Sequence, residues 1–126
     1  LVNARAIQDF RAAYPEVQNE TWTVFPDKEI LCSFIREGIA NRICYTKRGH
    51  RKFSITGYEA ANLKEEVRDQ ISNNYKGYHI RYVNEINVKG FPTAYIINIE
   101  NADHIKVIRV SGDEIEEQQE MVKGWG

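Results

Sequence analysis

Apolar side chains at Ala6, Ile7, Phe10, Ala13 and Tyr14 recur every three or four positions, with Arg5, Asp9 and Arg11 between them. This spacing predicts an amphipathic helix, and Pro15 predicts its end, because the residue before a proline is pushed out of helical geometry. Short extended runs follow over 21–25, 29–36, 40–47 and 52–56, separated by turn signals at Pro26-Asp27, Glu37-Gly38, Arg48-Gly49 and Gly57. Helical spacing then returns: Leu63, Val67, Ile71 and Tyr75 step by four. Asn62 with Glu65 three residues on has the form of a capping box, so Asn62 is the expected N-cap. Extended runs resume over 78–88, 93–99 and 105–110. Residues from Glu114 onward read as an acidic, weakly ordered tail, held only if Ile115 and Trp125 dock on the body.

The order of helix then strands occurs twice. At an offset of 61, Ala6, Phe10 and Tyr14 fall on Val67, Ile71 and Tyr75; at an offset of 63, Cys32 and Phe34 fall on Tyr95 and Ile97. Neither half has enough core to fold comfortably alone. The expected fold is therefore α+β. Two tandem α-β-β-β units, about 3–57 and 62–117, form one domain over 1–118, with 119–126 as a tail. They share one curved antiparallel sheet with both helices on one face. The other face stays open to water or to a partner.

Side chains can be assigned to faces within the first hairpin. A two-residue loop at Glu37-Gly38 pairs 36 with 39, so Cys32 opposes Ile43 and Phe34 opposes 41. Ile30, Cys32, Phe34, Ile43 and Tyr45 share the more apolar face, the expected core. Leu31, Ser33, Ile35, Arg42, Cys44 and Thr46 share the other. The two cysteines then point to opposite faces and cannot bridge. A loop longer by one residue would instead set Cys32 against Cys44. In the second half the equivalent core face carries Tyr95, Ile97, Ile99 and Ile108, and the open face Ala94, Ile96, Asn98, Val107 and Arg109. The candidate partner-binding face is thus Leu31, Ser33, Ile35, Arg42, Cys44, Ala94, Ile96, Val107 and Arg109, where aliphatic side chains meet water.

Composition narrows the function classes. The 126 residues are 42% hydrophobic and 28% charged, with a net charge of −1, which argues against a dedicated nucleic-acid binder. No apolar run nears the ~20 residues that span a bilayer. His50, His79 and His104 stand without a partner at ligand or dyad spacing, and no HExxH, GxSxG or P-loop is present. The expectation is no catalysis, no metal and no cofactor. Lys47, Arg48, His50, Arg51 and Lys52 make one turn locally basic, a soluble hairpin tip or a place for an anion.

Phe10 with Tyr14-Pro15, then Trp22, Cys32-Ser33-Phe34, Glu37-Gly38, Ile43-Cys44-Tyr45 and Gly49, then Leu63 to Tyr75 and Gly77-Tyr78-His79-Ile80 form an ordered series. In that order the chain resembles the PepSY-like, β-lactamase-inhibitor-like proteins of Bacteroidetes-type bacteria over about residues 4–117. It departs from them in its basic turn, where the family tends to an Asp-x-Asp-Gly-like one, so no calcium ligation is expected. It also has Leu63-Lys64 where Leu-Pro is usual. The resemblance implies a fold similar to β-lactamase inhibitory protein and an exported chain, periplasmic or secreted, whose leader has been removed before Leu1. It transfers no inhibitory residue, because fold does not carry function. The leading expectation is a non-catalytic module that binds a protein or peptide on its open sheet face. The alternatives are an envelope accessory domain that self-associates as a homodimer through a sheet edge, an inhibitor of a secreted hydrolase, and a small-ligand binder in a cleft between helix and sheet.

Overall fold

The structure is a computed structural model and describes residues 2–124. Its elements run α1 (Ala4–Ala13), β1 (Thr21–Val24), β2 (Ile30–Arg36), β3 (Ile39–Tyr45), β4 (Arg51–Tyr58), a 3-10 turn (Ala60–Asn62), α2 (Glu65–Asn74), β5 (His79–Val88), β6 (Ala94–Glu100), β7 (His104–Ser111) and β8 (Glu114–Val122). The fold is α+β. Among the described residues eight strands form one open antiparallel sheet in chain order. Among the described residues four strands follow each helix; each unit was expected to carry three, although the extended runs numbered four in the first half and three in the second. The strand not foreseen is β8: Glu114–Val122 pairs along β7, so the expected tail is ordered as far as Val122. Trp125 lies outside the described residues. The chain divides into two compact units, one running up to Thr56 and including Asn87–Phe91, the other comprising Gly57–Ile86 and the chain from Pro92.

In the first unit, α1 begins where the Asn3 side chain accepts a hydrogen bond from the Arg5 amide, 2.8 Å away. It stops at Tyr14, whose N–H still bonds Phe10 O, immediately before Pro15. Ala6 and Phe10, one turn apart, are fully buried against Ile30, Cys32, Phe34, Ile43 and Tyr45, with Trp22 and Tyr14 closing the cluster. Phe10 meets Trp22 and Phe34 edge to face, with ring centroids 5.5 and 5.2 Å apart. The hairpin register is the one the two-residue loop predicts: Arg36 faces Ile39, and Cys32 faces Ile43. Glu37 and Gly38 both take positive φ, 53° and 77°, the combination that lets a two-residue loop follow the twist of its strands.

In the second unit, α2 buries Val67 and Ile71 and ends on Tyr75 with the same cap bond, Tyr75 N–H to Ile71 O. Its start differs from expectation. Asn62 belongs to the 3-10 turn, Lys64 holds the N-cap position, and no side chain caps the helix. Leu63 is buried just before the helix, which leaves Glu65 and Glu66 to supply favourable charge in the first turn. In the sheet, Val83, Ile97 and Ile108 oppose one another in one buried row, and Tyr95 opposes Val110 in the next. Bulges interrupt the ladder between Ile80 and Tyr82 and between Val107 and Ile108.

Candidate binding face

Because alternate residues of a strand point to opposite faces, burying Cys32, Phe34, Ile43 and Tyr45 turns the intervening side chains of β2 and β3 outward. Cross-strand pairing groups these into rows: Thr21, Ser33 and Arg42; Thr23, Leu31 and Cys44; Ile35 and Ala40. The rows differ in what they show to water. Ile35 is 60% exposed, and Arg42 is exposed beside it in the sheet. Leu31 and Ser33 are half-buried. Ile35 forms a ridge between two hollows. One, of about 360 Å³, is lined by Thr21, Ser33, Ala40 and Arg42; the other, of about 530 Å³, lies toward Glu16, Val17 and Arg36. The Asn19 side chain touches both and donates from Nδ2 to Ile35 O at 3.2 Å, while Arg36 Nε pairs with Glu16 at 2.7 Å.

Cys44 was expected on this face but is 7% exposed. The Lys52–Glu29 ion pair, 2.7 Å long, lies close to it. Burial and the nearby Glu29 carboxylate both push its thiol pKa up. Cys32, on the other face, is also a free thiol, pushed up to about 12 chiefly by burial. Neither cysteine is offered to a partner.

The second unit presents less. Ala94 was also expected to be open but is 8% exposed, a small side chain beside its larger cross-strand neighbour Ile86. Ile96 opposes Asn84 and Arg109, and Arg109 opposes Glu116; Val107 opposes Asn98 and Gln119. Ile96, Val107 and Arg109 are each half-buried.

Several polar arrangements were not legible in the sequence, because each joins residues far apart in the chain. Asp9 Oδ2 accepts from Tyr45 Oη at 2.7 Å and from Arg51 Nη2 at 2.8 Å. Burial pushes the Asp9 carboxyl up, but these two donors outweigh it and hold the carboxyl below its ordinary range. His79, expected to be unpartnered, lies 3.1 Å from Glu100, which also meets Lys123 at 2.9 Å. Lys106 Nζ sits 2.6 Å from Glu117 and 3.0 Å from Glu120, over the rings of Tyr75 and Tyr78. These carboxylates raise its pKa. The basic turn is divided: Arg51 and Lys52 are neutralised by Asp9 and Glu29, while Lys47, Arg48 and His50 gather with Arg5 and Asn3 around a separate hollow. Among the described residues, no three His, Cys, Asp or Glu side chains come together as a metal site. No described helix is long and apolar enough to cross a membrane.

No family model matches the chain, and no curated protein matches its sequence. Solved structures do share its fold. A BLIP-like protein from Bacteroides fragilis superposes with a TM-score of 0.75 at 16% identity, over 98% of this chain and 90% of its own. A DUF2874 family protein from Bacteroides uniformis gives 0.74 at 12% identity, over 97% and 90% of the two chains. A candidate periplasmic protein from Bacteroides eggerthii gives 0.74 at 11% identity, over 97% and 89%. At these identities the likeness is one of fold.

Proposed function

We propose that this chain is a non-catalytic, exported binding module that presents the outward face of β2 and β3, centred on Ile35, to a protein or peptide partner. The observation that carries this reading is Ile35 itself. A large aliphatic side chain, 60% exposed and set between two hollows on the β2–β3 hairpin, has the form of an interface anchor. Arg42 is exposed on the same face, and arginine is enriched at such surfaces. A fold neighbour named BLIP-like favours a protein partner, and the inhibition of a secreted hydrolase is one form the same surface could take. Another neighbour, a candidate periplasmic protein, favours an exported chain. The β-lactamase-inhibitor-like family is the kinship that the ordered motifs and the neighbours' fold support together.

The same reading takes the two halves as pseudo-repeats within one domain. Tyr14 and Tyr75 end their helices with nearly equal backbone angles, φ −135° and −133° with ψ 64° in both, which supports it.

The test uses Ile35→Asp. Its side chain makes no part of the buried cluster, so the melting temperature should stay within a few degrees of wild type. A partner captured from an envelope extract, identified and purified, should bind the variant at least about tenfold more weakly. Equal affinity for both proteins would remove Ile35, and with it this surface, from the function.

A further inference from the structure

The hollow of about 600 Å³ lined by Asn3, Arg5, Lys47, Arg48 and His50 is a different place from the Ile35 ridge, and its chemistry is distinct. It is assembled from two segments of the first unit: the start of α1 and the turn between β3 and β4. The turn is held hard against the helix. Gly49 takes φ 85°, and a Cβ there would fall 2.5 Å from Asn3 Oδ1 and 2.9 Å from the Ala6 amide nitrogen. Asn3 Nδ2 donates to Lys47 O at 3.3 Å, a second tie between the segments. The cationic groups therefore stand on a docked turn.

We propose that this hollow binds a phosphate-class oxyanion. Three observations carry the inference. First, Arg5, Lys47 and Arg48 have no carboxylate within ion-pair distance among the described residues, although their neighbours Arg51 and Lys52 do. Positive charge is concentrated here and left uncompensated. Second, Arg5 Nη1 lies 2.9 Å from His50 Nε2, so the ring accepts from the guanidinium. The other guanidinium donors of Arg5 remain for a ligand, in the planar fork that suits an anion with several oxygens. Third, the helix supplies little of its own: the Arg5 amide is taken by Asn3 Oδ1, and Gly49 covers the Ala6 amide. Recognition falls to the side chains of Arg5, Lys47 and Arg48. The hollow is larger than one bare phosphate, so it accommodates either the free hydrated ion or the phosphoryl end of a larger molecule.

Titration calorimetry on the full chain at low ionic strength tests this, with inorganic phosphate and glycerol phosphate as separate probes. Saturable binding is expected. It should weaken at least about tenfold in Arg5→Gln/Arg48→Gln and stay unchanged in Arg68→Gln/Lys76→Gln, which removes two exposed cations from the second unit. Tighter binding of glycerol phosphate assigns the site to a phosphomonoester; equal affinities assign it to the free anion. If the first variant fails to fold, Lys47→Gln replaces it, with the same direction expected. No saturable binding of either probe, or equal losses in both variant pairs, would overturn the proposal.

Discussion

Gly49 shows how one residue can hold two segments together. Its φ of 85° lies in the left-handed region, and the start of α1 occupies the space a side chain would need. Gly49→Ala should therefore destabilise the chain by about 2 kcal/mol, seen as a lower urea midpoint, because strain and close contact add. An unchanged midpoint would mean that the turn is not docked. Asp9 gives a second residue-scale test. Its carboxyl is held below the ordinary 3.8, so the folded state prefers it ionised. That contribution is present above pH 3.8 and is lost as pH falls through the depressed folded value. Asp9→Asn should lose less stability than wild type between about pH 5 and pH 2, measured by thermal melts. Parallel losses would remove the Tyr45–Asp9–Arg51 group from the acid response.

The elements explain why much of the fold was legible and where reading stopped. The first hairpin was readable because Glu37-Gly38 specifies a two-residue loop, and the loop specifies every pairing behind it. That register puts Cys32 and Cys44 on opposite faces, and it predicts two free thiols in denatured, unreduced protein. Native protein should react with a thiol reagent far more slowly than denatured protein, since both thiols are buried and burial holds their pKa up. A count of zero would contradict the register. The strand β8 was missed because Glu114–Val122 alternates almost nothing apolar. It is an edge strand held by β7 alone, and of its two residues opposite buried ones, Glu117 against Ile108 and Ile115 against Val110, only Ile115 is apolar. The α2 start was misread because Leu63 is needed in the core, and its burial moved the helix start past Asn62. The candidate face was readable as a face but not in its exposure. Strand alternation places Cys44 and Ala94 outward, yet the Lys52–Glu29 pair near one and Ile86 beside the other depend on partners that alternation does not show.

At the scale of the molecule, the open sheet has two edges, and both discourage pairing with another copy. β1 is four residues long, and β8 carries Glu114, Glu116, Glu117 and Glu120. The chain should therefore sediment as a monomer at about 10 μM, at which Glu114→Thr/Glu116→Thr should begin to self-associate. A wild-type dimer would favour the self-associating reading instead. What stays available for recognition is a face, and the account rests on the outward face of β2 and β3 being the one used. Isoleucine methyl NMR with the captured partner examines this directly. On complex formation the Ile35 δ1 methyl should shift or broaden, while those of Ile30 and Ile43, buried on the opposite face, keep their positions. An unmoved Ile35 methyl in a saturated complex would contradict the account.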